Sequence, residues 1–305
     1  MKTGKGNNPI RQHHVPRVYL KYFCAPDKSI SVLDTKTGKI FTTGIEAAGV
    51  ENNFYTLTGA EDPFCWEKSY AQSIEPLISK VLPQIIAPAN IMAHDGQYVI
   101  TEEEKAELAT IMIVQLLRGK QSREYERELF HKLIPEVIEE TQKRFEELSS
   151  SQLKMLQSLE QNETLFRALA MEVSLDPKRI ICYSQELCKR TFIVFRCAMK
   201  GVEFVTSDNP VMFINSETAD ATPYTNGIIY PKTLLYFPLS PYLILAAYHP
   251  NSFFGKLQSY DRKLIDLRGD RNRSFIKTIN RKQMEQCYGQ VYSKKSVILQ
   301  KLKTS

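Results

Sequence analysis

The sequence predicts an α+β protein: small N-terminal antiparallel strands, a central helical bundle, a later antiparallel sheet and a C-terminal helix. Three observations predict it. Apolar residues alternate in short runs at first, recur at helical spacing over residues 64–190, and return to strand-like runs from 191 on. Strands and helices are grouped, not alternated as βαβ units. At 305 residues, with 43% hydrophobic and 24% charged side chains, the chain can bury a large core and has globular composition. It reads as a single domain over residues 1–305, with a helical core at about 64–190 and the later sheet at about 191–305.

The elements follow in order. Pro16 suits the first turn of a short helix, and Val18, Tyr19, Tyr22 and Phe23 continue it at helical spacing. Residues 29–33 and 39–43 read as a hairpin turned at Asp34-Thr35-Lys36-Thr37-Gly38, and 53–57 as a third strand-like run. Residues 64–82 carry the apolar stripe Trp66, Tyr70, Ile74, Leu77, Ile78 and Val81, a helix closed by Pro83 and Pro88. Thr101 followed by three glutamates starts a helix that runs to about Leu117. A long charged helix spans about 122–148, and two more helical pieces about 151–173 and 177–187.

Strand-like runs at 191–197 and 203–206 pair through Lys200-Gly201. A hairpin at 233–239 and 242–248 turns at Ser240-Pro241. Residues 261–269 read as an irregular charged stretch, 274–287 as the final helix and 291–299 as a last strand.

No run of 18 apolar residues is present, and residues 1–9 are polar, so neither a membrane span nor a secretory signal is expected. A cytoplasmic protein is expected, with its six scattered cysteines free; none forms a Cys-x-x-Cys pair. The 13 glycines form neither a P-loop nor a dinucleotide fingerprint, and no G-x-S-x-G elbow occurs. No nucleotide cofactor is expected. From Lys256 onward, thirteen Lys or Arg face four Asp or Glu, a net of +9 that leaves −3 for the rest of the chain. Such a section meets phosphate as readily as it forms a solvated surface.

Four groups of residues carry chemistry. His13 and His14, held near rigid Pro16, supply acid–base groups that titrate near neutrality. The plain alternative is one capping and one solvated imidazole. Glu67 and Glu75 lie on one predicted helix, where a spacing of eight leaves them about 80° apart; a solvated polar face is the alternative. Gln115 and Arg118, three apart on one face of an apolar run, must find buried partners, and a buried arginine is also a clamp for phosphate. Ser207-Asp208-Asn209-Pro210, at a strand exit, presents a carboxylate and an amide rigidly, although Asx-type turn formation explains it equally well.

Taken together, these residues resemble a widespread microbial family of uncharacterised domains marked by an N-terminal His-His-x-Pro motif and a later Ser-Asp-Asn-Pro motif. The resemblance rests on His13-His14-x-Pro16, Tyr19-Leu20, Phe23, Asn53-Phe54-Tyr55, Glu67, Glu75, Gln115-x-x-Arg118, Ser207-Asp208-Asn209-Pro210 and Asn280, over residues 12–292. It implies that these polar residues belong to one shared pattern. It supplies no reaction.

The expectation is a cleft in which His13 or His14, Glu67 and Asp208 converge, with Gln115, Arg118 and Asn209 beside them. His14, Glu67 and Asp208 would hold Mg²⁺ or Mn²⁺, Arg118 would hold an anionic group, and the reaction would be phosphodiester hydrolysis by a nuclease. A metal-free version uses His14 as general base and Arg118 as charge stabiliser. A second class is a non-catalytic protein that binds nucleic acid or an anionic ligand through the basic C-terminal section. A third is a regulatory interaction protein that docks through the long charged helix.

Overall fold

The computed structural model describes residues 10–57, 60–145, 148–159, 162–219 and 226–304. The polar segment 1–9, and residues 146, 147, 160 and 161 of the expected helices, lie outside them.

The N-terminal part comprises β1 (Arg11–His13), α1 (Arg17–Leu20), β2 (Ser29–Asp34), β3 (Ile40–Gly44) and β4 (Val50–Asn52). The helical part comprises α2 (Cys65–Ser69), α3 (Glu75–Ile91), α4 (Glu102–Leu117), α5 (Lys120–Arg144), α6 (Ser150–Leu159), α7 (Glu163–Leu175) and α8 (Pro177–Cys188). Then come β5 (Thr191–Cys197), β6 (Thr206–Ser207), β7 (Met212–Asn215), β8 (Thr233–Ser240), β9 (Leu243–Tyr248), β10 (Lys263–Leu267), α9 (Gly269–Gln286), β11 (Gln290–Ser293) and α10 (Ser296–Lys303). This is an α+β fold, in the order the sequence predicts. No helix among the described residues is long and apolar enough to cross a membrane.

The five-stranded sheet has the order β10-β5-β9-β8-β7, and a four-stranded sheet has the order β3-β2-β11-β6. Strand β5 shows why the first of these is central. Phe192 and Val194 face a core shared with α1, α3 and α4, while Ile193 and Phe195 face a second cluster with Ile276 and Ile279 of α9. A strand apolar on both faces must be covered on both. The first core joins the helical residues to the later sheet, so the two parts bury one another.

Several expectations need correcting. Residues 203–206 do not pair with β5, whose neighbours are β9 (antiparallel) and β10 (parallel). Thr206 and Ser207 cross instead to the four-stranded sheet and pair with β11. The stretch 261–269 contains β10, so the later sheet is mixed and not wholly antiparallel. Its charges misled: Asp266 is spent on Arg196 opposite it, at 2.6 Å, while Leu264 and Leu267 are buried on opposite faces. Residues 294–299 do not extend β11; Ile298, Leu299 and Leu302 recur at helical spacing in α10.

Pro83 and Pro88 lie inside α3 instead of ending it. Each removes one helix bond, a loss of about 3 kcal/mol. Burial of Leu82, Ile85 and Ile86, at roughly 1.5–3 kcal/mol each, outweighs that loss. The Thr101 start is a full capping box: Thr101 Oγ1 accepts the Glu104 N–H at 3.1 Å, and Glu104 accepts the Thr101 N–H at 2.7 Å.

Tyr19 fixes the N-terminal part to both sheets. Its hydroxyl donates to the Pro238 carbonyl at 2.7 Å and lies 2.6 Å from Thr206 Oγ1. It therefore ties α1 to β8 and β6, next to the Ser207-Asp208-Asn209-Pro210 turn.

Candidate functional site

The His-His segment is held mainly by its backbone, with one ring contact, from His13 to the Glu46 backbone. His13 ends β1 opposite Val50. The His14 N–H donates to the Gly49 carbonyl at 3.0 Å. Gln115 Nε2 donates to the His14 carbonyl at 3.1 Å, and Arg118 Nη2 donates to the His13 carbonyl at 2.6 Å. Gln-x-x-Arg on one face of the α4 terminus is thus a two-pronged clamp on the His-His peptide. Gln12 makes a matching clamp from the other side, accepting the Tyr55 N–H and donating to Thr56 Oγ1 at 2.9 Å.

Gly49 is required here. Its φ is +62°, and an added Cβ would lie 3.0 Å from Val15 Cβ. Gly49→Ala is expected to destabilise by about 1–3 kcal/mol, measured by denaturant unfolding, because both the backbone conformation and the close approach resist a side chain.

Burial and surrounding charge set the imidazoles. His14 is 2% exposed and packs against Phe54, with ring centroids 5.4 Å apart. Burial first, then the cations Lys120, Arg118 and Arg123, hold its pKa well below 6.5. His13 is half-buried, and burial followed by Arg17 and Arg11 pushes its pKa down to about 4. Both rings are therefore neutral at pH 7. His13 Nε2, His14 Nδ1 and Arg118 Nη1 are buried atoms without a hydrogen-bond partner. Buried polar groups in a folded interior are ordinarily paired, so these three atoms depart from the rule.

Arg118, only 3% exposed, is held on its other side by tyrosines. Its Nε donates to the Tyr55 hydroxyl at 3.0 Å, and its guanidinium lies 4.1 Å from the centre of the Tyr70 ring. Glu67 and Glu75 also act on it. The carboxylates come to one side because residues Tyr70–Ile74 form a π turn between α2 and α3. That turn absorbs one residue, so the effective spacing is seven, about 20° apart in place of about 80°. Burial first, and Glu75 among the charges, raise the pKa of Glu67, against the pull of Arg118.

Asp208 and Asn209 belong to a second, neighbouring group. Asp208 Oδ1 accepts the Tyr288 N–H at 2.7 Å, and Oδ2 accepts the Gln290 N–H at 2.9 Å. Ser207 Oγ accepts from Gln283 Nε2 at 2.6 Å, and Asn209 Nδ2 donates to Gln121 Oε1 at 2.6 Å and the Gln286 carbonyl at 3.0 Å. The turn is a junction that carries the chain from one sheet to the other. Lys120 stands between the groups: it acts on both His14 and Asp208 and pairs with Glu51 at 2.6 Å. Among the described residues no three His, Cys, Asp or Glu side chains are gathered closely enough to hold a metal ion. His14, Glu67 and Asp208 therefore do not form the expected cation site. The Asp208 oxygens are turned to backbone N–H groups, and Glu67 faces Arg118.

Burial raises the Asp208 carboxyl from 3.8 to about 6, against the pull of its backbone donors and Lys120. A folded-state pKa above the unfolded one means the fold holds that proton more tightly. The stability it contributes is present below about pH 4 and is lost as pH rises through about 6. Asp208→Asn removes this dependence and sets an amide against a backbone N–H. The variant is expected to lose about 1–3 kcal/mol near pH 7. Its deficit should be larger at pH 4 by roughly 3 kcal/mol, read from urea unfolding at both values.

Fold and site together define an α+β protein with a clamped His-His peptide beside a buried arginine. The chain belongs to the family described as "Protein of unknown function (DUF4238)", whose profile matches residues 11–296. Comparison with curated proteins and with solved structures finds no match.

Arg17, Lys120 and Arg123 escaped the reading of the sequence as parts of this site. Lys120 and Arg123 follow Arg118 within two turns of chain, and that spacing was the available signal. Arg123 donates to the Phe54 carbonyl at 2.6 Å and lies over the Phe54 ring at 3.6 Å.

Proposed function

We propose that this chain is a hydrolase of phosphodiesters, a nuclease, in which a neutral imidazole on a cationic floor activates water. One observation carries the reading: His13 Nε2, His14 Nδ1 and Arg118 Nη1 are buried without partners, with Arg17 acting on His13, Lys120 and Arg123 acting on His14, and Arg118 acting on both. Neutral acceptors beside fixed cations favour an anion carrying a water to be deprotonated. His13, the less buried ring, takes the proton from water. The hydroxide forms the new P–O bond, the ester P–O bond breaks, and the leaving oxygen takes a proton from Glu67, whose pKa is raised. Arg118, Lys120 and Arg123 balance the charge on the phosphoryl oxygens. His14, Gln115, Asp208 and Asn209 position these groups. The products are a phosphomonoester and an alcohol. This is the metal-free form of the chemistry, and we place it in the cytoplasm, where the six thiols stay reduced.

Titrating labelled histidines by NMR, with and without inorganic phosphate, tests the site. His13 should stay neutral down to about pH 4 and should protonate at higher pH once phosphate binds, because a nearby anion favours the charged ring. Titration near 6.5, unmoved by phosphate, would contradict the reading.

One observation favours the binding alternative: Arg271, Lys277 and Arg281 share the exposed stripe of α9. Exchanging Arg271 and Lys277 for glutamine is expected to flatten the salt dependence of oligonucleotide binding by about 2 in log–log slope. An unchanged slope would remove α9 from the interface.

A further inference from the structure

A cavity of about 520 Å³ opens between α4, α5, α8 and the segment 226–230. Its volume lies in the range of small-molecule sites. Leu117 and Phe213 give it apolar walls, Tyr183 and Tyr230 give it flat aromatic faces, and Gln121, Asn209 and Asn226 line it, with Asn209 Nδ2 already donated to Gln121 and the Gln286 carbonyl.

The wall is built in place. Arg190, 1% exposed, donates through Nε to the Ile228 carbonyl at 3.0 Å, through Nη2 to Tyr230 at 3.0 Å and through Nη1 to Thr233 at 2.6 Å. One arginine thus fixes the backbone that carries Tyr230. Gly227 lets the Tyr230 ring fold back on it: a Cβ there would lie 2.9 Å from the ring. Arg190→Met, which strands these carbonyls, is expected to destabilise by about 3 kcal/mol or more, measured by thermal or urea unfolding.

We propose that this cavity binds a nucleobase of the substrate; the choice of ligand rests on the phosphodiester reading. Tyrosine faces stack on any base. Gln121 follows Lys120 directly and bonds to Asn209 of the sheet-crossing turn, so the cavity and the cationic cluster share one helix end. A base stacked on Tyr230 would sit beside Gln121, one residue from Lys120 in the chain.

Calorimetric titration with adenosine, which carries no phosphate, tests the cavity alone. Wild type should bind at one saturable site. Tyr230→Ala removes a stacking face, and Cys182→Trp, at an exposed position on the cavity rim, fills the space. Both variants should melt as wild type does and bind adenosine about tenfold more weakly or worse. No saturable binding to wild type, or undiminished binding to either variant, overturns the assignment. Oligonucleotide cleavage without adenosine binding removes the base site and leaves the hydrolase reading standing. Adenosine binding without cleavage keeps the base site and removes the hydrolase.

Discussion

Arg118→Met is expected to destabilise the protein by about 3–4 kcal/mol and to lower phosphodiester cleavage by about 10²–10³. The stability loss follows from what Arg118 touches. Its removal strands the His13 carbonyl and the Tyr55 hydroxyl, and takes the countercharge from Glu67 and Glu75. The activity loss follows from its unpartnered Nη1. Arg118→Lys separates the two effects. A lysine keeps the charge but cannot donate to the His13 carbonyl and the Tyr55 hydroxyl with a rigid fork. It should recover only the part of the melting temperature that the countercharge to Glu67 and Glu75 supplies, and little of the cleavage. Equal recovery of both would make Arg118 a structural residue only.

His13→Ala has the opposite signature. Cleavage should fall about 10²–10⁴, the range for loss of a general base. Stability should change little, because the ring's bond to the Glu46 backbone is lost while a nitrogen buried without a partner is removed. The pH dependence has a fixed sign. A base must be unprotonated, so wild-type activity should fall as pH drops through about 4; the acid Glu67 must be protonated, so activity should also fall as pH rises through its raised pKa, and His13 should add no step at 6.5. A simultaneous drop in melting temperature and rate would assign His13 to the fold.

The sequence announced the parts of this site better than their arrangement. His13, His14, Gln115 and Arg118 were legible because a histidine pair before a proline, and a Gln–Arg pair in an apolar helix, both need partners. That Gln115 and Arg118 are partners of the His13 and His14 backbone depends on β1 lying across the end of α4, about a hundred residues away in sequence. Glu67 and Glu75 were legible as residues, but not as a pair, since the π turn that rotates them together leaves no mark in helical periodicity. Asp208 was visible as a turn carboxylate. Its engagement with Tyr288 and Gln290 required knowing that β6 pairs with β11. The same gap explains the fold errors: β5 accepts β10 in parallel, a long-range choice set by burial on both faces. Local patterns fixed the helix starts at Thr101 and Pro177, where the signals are short-range.

Cleavage of mixed DNA and RNA oligonucleotides, by wild type and by His13→Ala, with EDTA and with added Mg²⁺ or Mn²⁺, tests the central claim most directly. The account predicts cleavage by wild type in EDTA, loss of it in a normally folded His13→Ala, and no requirement for either metal. Cleavage only with metal, or cleavage unaffected by the loss of His13, or none under any condition, would contradict it.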